Sequence, residues 1–459
     1  MVGLGLVAGA RVDAGASDAA PGTFEVPGEI DATGKTDVAG ALNEFIASVP
    51  DGSAIVFPAG ARYRAEAEIA FRGRARLVIE GNGARIFATQ RQPAERSQIR
   101  VVNSRNVVFR ELIIDGPHPN GGLADDAYRP MFEFQHGFRL EAVRDVQLDR
   151  VTVTDVYGDF VYIGQDKDRH PSERVWIHDS TFARNGRQGI AITDASSVII
   201  ERNRFAEVRR AIFDLEPNAR RWSVRDIHIL DNTIGTGRLL FVASHGAGPV
   251  DDVVVEGNAL PRHGLTIEVM AAEGQRRQNW IVRNNESDEP VHARAIRFIG
   301  VDGVLVSGNT QLVTGGEPAV VIWDSCGATV EGNEFGTARI ERKGEECEAE
   351  LVRPEPPALF GRNPDGSVAT TTTLPPRTTT VAPMTSSSTT AASTTPASTS
   401  APAIARASTP PSVAPSPTPQ SGPKAAAVVL AFLSGALVGA AALTAWTRRR
   451  TRTGVMNLE

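Results

Sequence analysis

"VIIERNRFAEVRRAIFDLE", residues 198–216, holds one complete unit of the pattern that decides the fold. It opens on a short apolar strand, bends at a polar "ERN", and enters a second strand, "AIFDLE". Extended chain sends successive side chains to opposite faces, so Phe213 and Leu215 point one way while Asp214 and Glu216 point the other. Two carboxylates about 6 to 7 Å apart on one face suit paired acid and base chemistry, and they equally suit a solvated face salt-bridged to arginines.

The unit recurs. "VVFRELII" from 107, "VQLDRVTV" from 146, "VWIHDSTF" from 175, "IHILDNTI" from 227, "VVVEGNAL" from 253, "WIVRNNES" from 280, "VLVSGNTQ" from 304 and "ATVEGNEF" from 328 repeat the first strand. "FVYIG", "IAITD", "LLFVAS", "LTIEVM", "AIRFIG" and "AVVIWD" repeat the second. Units this short leave no room for a helix between strands, which rules out βαβ crossovers. Stacked as a coil of parallel strands, each unit buries its inward face against its neighbours. Asn203, Asn232, Asn258, Asn285, Asn309 and Asn333 fall just after the first strand of successive units. They are expected to take the left-handed backbone of a sharp bend and to hydrogen-bond from rung to rung, a structural ladder rather than a row of ligand-binding amides.

At the N-terminal end, "EIDATGKTDVAGALNEFIASVPDGSAIVFPAGARYR", residues 29–64, reads as a lid. Asp37 is placed to cap a helix whose apolar face is Leu42, Phe45, Ile46 and Val49, and that face would cover the open end of the coil. The repeat resembles the right-handed parallel β-helix of the pectate-lyase-like superfamily. The D-A-T-G, helix and P-x-G-x-Y succession resembles the cap of its pectate-lyase-like and rhamnogalacturonase-like members. The resemblance spans about residues 22–345 and implies an all-β solenoid with an N-terminal capping helix. It also implies a polysaccharide-binding groove, with cleavage by lyase or hydrolase chemistry or with binding alone. The paired Asp-Asp and Gly-His-Gly signatures of polygalacturonase-like hydrolases are absent, "ASHGAG" at 243–248 being a faint echo.

In such a coil the same outward position on adjacent rungs lies about 4.8 Å apart, so columns of side chains carry the chemistry. Registering the second strands gives Tyr162 with Gly164, Ala191 with Thr193, Asp214 with Glu216, then Thr266 with Glu268, Arg297, and Val321 with Trp323. Asp214, Glu216, Glu268 and Arg210 are the candidate catalytic groups. Arg187, Arg297, His245, Tyr162 and Trp323 are the candidates for holding substrate. Two carboxyls can protonate a leaving oxygen and activate water. Alternatively Glu216, Glu268 and Asp214 can hold calcium while an arginine or His245 faces a uronate undergoing β-elimination. No other metal site is expected, because the remaining histidines show no ligand spacing.

Composition divides the rest of the chain. Residues 359–424 are dominated by Thr, Ser, Pro and Ala, too polar to offset ordering entropy, and are expected to form a disordered stalk. Residues 425–446, "AAAVVLAFLSGALVGAAALTAW", are 22 uncharged residues, about 33 Å as a helix, enough to cross a bilayer. Arg448, Arg449, Arg450 and Arg452 follow, so the positive-inside rule puts residues 447–459 in the cytoplasm and the β-helix, 22–358, outside. Residues 1–21 resemble the remnant of an export signal without its basic region.

From Val368 onward there are seven basic residues and one acidic, which leaves 41 basic against 53 acidic before it, a formal charge of -12. That field opposes nucleic acid. The expected partners are therefore a polysaccharide and, through the C-terminal helix, a membrane, with the ectodomain acting as a monomer. Cys326 and Cys347, the only cysteines, could pair outside the cell, a closure worth on the order of 3 kcal/mol.

Overall fold

The computed structural model describes residues 21–292, 294–344, 349 and 351–352. The expected stalk, membrane helix, cytoplasmic tail and export remnant lie outside the described residues, as does Cys347. Among the described residues no helix is long and apolar enough to cross a membrane. Cys326 is disulfide-bonded.

The chain winds into a right-handed parallel β-solenoid of about 11 turns. Three sheets of 12, 11 and 11 strands run its length, every pairing parallel. The first strands of the sequence repeat form sheet A, for example Ser172–His178, Ala195–Glu201 and Val224–Leu230. The second strands form sheet C, for example Val161–Gly164, Ile190–Ile192, Phe213–Leu215, Val242–Ser244, Ile267–Met270 and Ile296–Ile299. Sheet B lies between them and is not expected from the repeat. Its strands are as short as Arg204–Ala206 and Thr233–Ile234, too brief for alternation to mark them.

In-register stacking fills the interior with like on like. The rings of Phe160, Phe182, Phe205, Phe213 and Phe241 follow one another at centroid separations of 5.6, 5.0, 5.1 and 5.6 Å. The helix Ala39–Ser48 closes the N-terminal end with Leu42, Ile46 and Val49 buried and Phe45 packed against the core. The Asp37 carboxylate accepts the backbone N–H of Ala39 at 3.1 Å and that of Glu66 at 3.1 Å, joining the lid to the coil.

The asparagine ladder is real, with one correction. Each amide nitrogen from Asn203 to Asn309 donates to the amide oxygen of the next asparagine at 2.8 to 3.1 Å. That same oxygen accepts the backbone N–H of the asparagine before it. The left-handed conformation belongs instead to the preceding residue, Arg202, Asp231, Gly257, Asn284, Gly308 and Gly332. Bending one position earlier leaves the asparagine side chain free to point inward, where its hydrogen bonds are needed.

Asn258→Ala removes the acceptor of the Asn232 backbone and side chain and the donor to the Ile229 carbonyl. With each stranded buried group costing about 1–3 kcal/mol, urea denaturation should show a loss of roughly 2–5 kcal/mol.

Candidate functional site

The outward column of sheet C runs Arg139, Tyr162, Ala191, Asp214, Ala243, Glu268, Arg297, Val321, as the alternation predicts. Against the residues that precede its strands packs the connection 116–137, inserted between Ile113–Asp115 of sheet B and Phe138–Glu141 of sheet C.

That connection accounts for the arginines before the sheet C strands. Arg238 donates to the Leu123 carbonyl at 2.9 Å and pairs with Asp125. Arg209 reaches the Asp125 carbonyl at 3.1 Å, and the Arg210 guanidinium lies 5.1 Å from the centre of the Tyr128 ring. Arg210 thus braces the overlying chain rather than clasping the acids. Arg187 is the hub: it holds both oxygens of Asp159 at 3.0 and 2.8 Å and lies 3.5 Å from Glu133 and 3.8 Å from Glu216. Burial disfavours its charge, but Asp159, Glu216, Asp214 and Glu133 together hold the guanidinium above its ordinary range.

Asp159, Gln188, Glu133 and His136 are site residues that linear inspection misses. The available signal was positional, since continuing the register of Val161 with Ile190 sets Asp159 beside Gln188. Asp159 is fully buried, and burial, only partly offset by Arg187, pushes its carboxyl up to about 6. His136 accepts the Asp159 backbone N–H at 3.1 Å. Burial holds that imidazole well below its ordinary range, so it is neutral and brings Asp159 no charge.

Asp214, 5% exposed, accepts a hydrogen bond from the Gln188 amide to Oδ2 at 2.6 Å. Burial first, then the neighbouring Glu216, push its carboxyl well above the ordinary range. A carboxyl that binds its proton more tightly than usual beside a second, part-exposed one is an arrangement suited to acid catalysis.

The other predicted residues divide. His245 Nε2 lies 2.9 Å from Glu268, and Arg297 lies 3.4 Å from the other Glu268 oxygen. The His245 hydrogen bond, then Arg297 and other cations, hold Glu268 below its ordinary range. Tyr162 is enclosed: its hydroxyl is 2.9 Å from Thr193, its ring stacks on His136 at 5.2 Å, and Arg139 sits 5.8 Å from its centre. A sugar cannot stack there without displacing one of them. Trp323, four rungs beyond Asp214 and paired with the Lys343 ammonium at 4.4 Å, stands apart from the acids. Asp214, Glu216 and Glu268 do not form a metal-sized cluster. Among the described residues the group with that spacing is Asp149, His178 and Asp179, on sheet A, and Arg110, Arg150 and Arg202 already pair with its acids.

Residues 97–286, which contain this site, match the family described as "Right handed beta helix region". No curated protein sequence matches the chain. Among solved structures it is similar to the tailspike protein of E. coli bacteriophage HK620, solved in complex with a pentasaccharide. The two are 13% identical at a TM-score of 0.51, over 70% of this chain and 63% of the tailspike. This right-handed β-helix therefore spans less than two thirds of that protein. It is similar as well to the endo-xylogalacturonan hydrolase of Aspergillus tubingensis, 13% identical at a TM-score of 0.51, over 72% of this chain and 100% of the hydrolase. At such identity the likeness shows the fold alone.

The buried carboxyls have a consequence for stability. A carboxyl whose folded value is raised binds its proton more tightly in the folded state, so its contribution falls as pH rises from about 4 through the folded value. For Asp159 the loss is on the order of 3 kcal/mol across about pH 4 to 6. Asp214→Asn keeps an oxygen for Gln188 and removes the titration. Thermal melts should show the variant more stable than the native chain at pH 8, with the gap closing toward pH 4.

Proposed function

We propose that this protein hydrolyses a polysaccharide bound along sheet C, working at the outer face of a membrane to which residues 425–446 anchor it. The observation that carries the reading is Asp214, a buried carboxyl in the outward column of sheet C that burial and the neighbouring Glu216 hold well above its ordinary range. Glycoside cleavage needs a proton for the leaving oxygen and a base that activates water on the other side of the bond. Asp214 supplies the first. The exposed candidates for the second are Glu216, 33% exposed at its side chain, and His245.

β-Elimination has less support. Arg187, held above its ordinary range by its acidic neighbours, is a poor proton acceptor, and the three acids offered for calcium are not gathered. A non-catalytic, glycan-binding role is favoured by one observation, the ion pairing of Glu216 with Arg187 and of Glu268 with Arg297, which resembles a solvated, charge-balanced face. The solved tailspike complex and the xylogalacturonan hydrolase show that this fold accommodates a glycan ligand and glycan hydrolysis in other proteins. The stalk and anchor serve either role, since both need reach from the membrane.

The test is product release by the purified chain from a panel of neutral and uronic-acid polysaccharides, with and without calcium. New reducing ends without unsaturated products are expected, with Asp214→Asn lowering the rate at least about 100-fold. Unsaturated products would establish elimination, and glycan retention without any product would establish binding.

A further inference from the structure

We infer that His245 is the base that takes the proton from the attacking water in the sheet C groove. The inference rests on the hydrolytic reading above and assigns its second catalytic group.

Register places it. Asp214 pairs with Ala243, so His245 lies one rung along and two residues past that partner, just beyond the strand Val242–Ser244. From a rung spacing of about 4.8 Å and about 3.3 Å per residue, its Cα sits about 8 Å from that of Asp214. The ring is 45% exposed at its side chain and carries its own orienting group. Glu268 Oε1 lies 2.9 Å from Nε2, and Glu268 is held ionised by His245 and Arg297. An ionised carboxylate there fixes the proton on Nε2 and leaves Nδ1, which has no hydrogen bond among the described residues, as the acceptor. Glu216 is the weaker choice because its charge faces Arg187 at 3.8 Å.

The turn bearing His245 is held from below and from the side. Arg277, 1% exposed, donates to the Ser244 carbonyl and hydroxyl and to the Gly246 carbonyl at 2.9 Å. No carboxylate lies within ion-pair distance of it among the described residues, and burial lowers its guanidinium to about 10, so it is still charged at neutral pH. An enclosed cation spent wholly on one turn is explicable if that turn must not move. Ser244 Oγ in turn donates to the Leu215 carbonyl at 3.0 Å, tying the turn to the strand of Asp214. Gly246 and Gly248 let it press against the preceding rung, where a Cβ would come to 2.5 Å from the Pro217 carbonyl oxygen and 2.1 Å from that of Trp222.

The step balances. A water proton passes to His245 Nδ1 as the water oxygen bonds to the anomeric carbon. The glycosidic C–O bond breaks with its electron pair on the leaving oxygen, which takes the Asp214 proton. Solvent then returns a proton to Asp214 and removes one from His245. Attack from the face opposite the leaving group inverts the anomeric centre. His245 is the catalytic residue, and Glu268 and Arg277 are positioning residues. The titratable and charged groups around the imidazole are Glu268, with Arg297 and Arg294 acting on it, Arg277, which holds the turn, and Asp214 and Glu216 on the preceding rung.

The experiment uses the full chain and whichever polysaccharide of the panel it cleaves. His245→Gln, which keeps an amide donor toward Glu268, should lower kcat by about 100- to 10,000-fold with KM little changed and abolish the acidic limb of the pH–rate profile. Glu268→Gln should lower kcat less and shift that limb to lower pH. Added imidazole should restore part of the rate to His245→Ala, and NMR should show the first product anomer inverted. Cleavage that survives His245→Gln with its acidic limb intact, or a retained anomer, overturns the assignment while leaving hydrolysis standing. A wild-type chain that binds glycans and cleaves none overturns both.

Discussion

Everything in this molecule depends on strands stacking in parallel register about 4.8 Å apart, which forces each side chain to face its counterpart in the next turn. Apolar groups gain from that constraint, and the phenylalanine file shows how directly. A polar group can enter the interior only if it passes its hydrogen bonds along, as the asparagines do, each amide satisfied by its neighbours. Outside, the same constraint sets like charges against one another unless signs alternate. Arg174 meets Asp145, Arg184 meets Asp155, and Arg283 meets Glu256, in each case from an adjacent rung at 2.6 Å.

Asp214 departs from that alternation. Its rung neighbours in the column are Ala191 and Ala243, which offer neither a counter-charge nor a hydrogen bond. The nearby arginine, Arg187, is committed first to Asp159, at 2.8 Å, and reaches the Asp214 region as one charge shared among four carboxyls. Burial then outweighs attraction, and the carboxyl is held well above its ordinary range. A groove that placed an arginine at 191 or 243 would have produced one more surface ion pair. Two alanines in the column therefore separate a carboxyl with a raised proton affinity from a charge-balanced surface.

The coil, its lid and the outward column were legible in the sequence because stacking converts linear repetition into spatial repetition: aligning "VYIG", "IAIT" and "FDLE" is equivalent to building sheet C. Sheet B was not legible, since two or three residues cannot display a period. Nor was the connection 116–137, which belongs to no repeat and whose contacts with Arg187, Arg209, Arg210 and Arg238 cross from 54 to 115 residues of sequence. Without it the arginines looked free to meet a substrate, and the enclosure of Tyr162 by His136 could not be foreseen. The role of Asp159 escaped notice because its importance lies in its burial, which no local pattern reports.

The uneven spacing of the repeats, 29, 23, 29 and 26 residues between the sheet A segments that begin at 146, 175, 198, 227 and 253, acquires a meaning in the structure. The sheets hold their register over these turns, so the variation falls in the connections. From sheet C to sheet A these are residues 165–171, then 193–194, then 216–223, then 245–249. The rung of Ala191 has almost no turn, while those before and after it carry long ones. The long turn 216–223 thus follows directly on the strand of Asp214, and the His245 turn presses against it at Pro217 and Trp222. A solenoid with uniform turns would present an even face. Length variation that looks like noise in the repeat is what sets the turns of this one apart from each other.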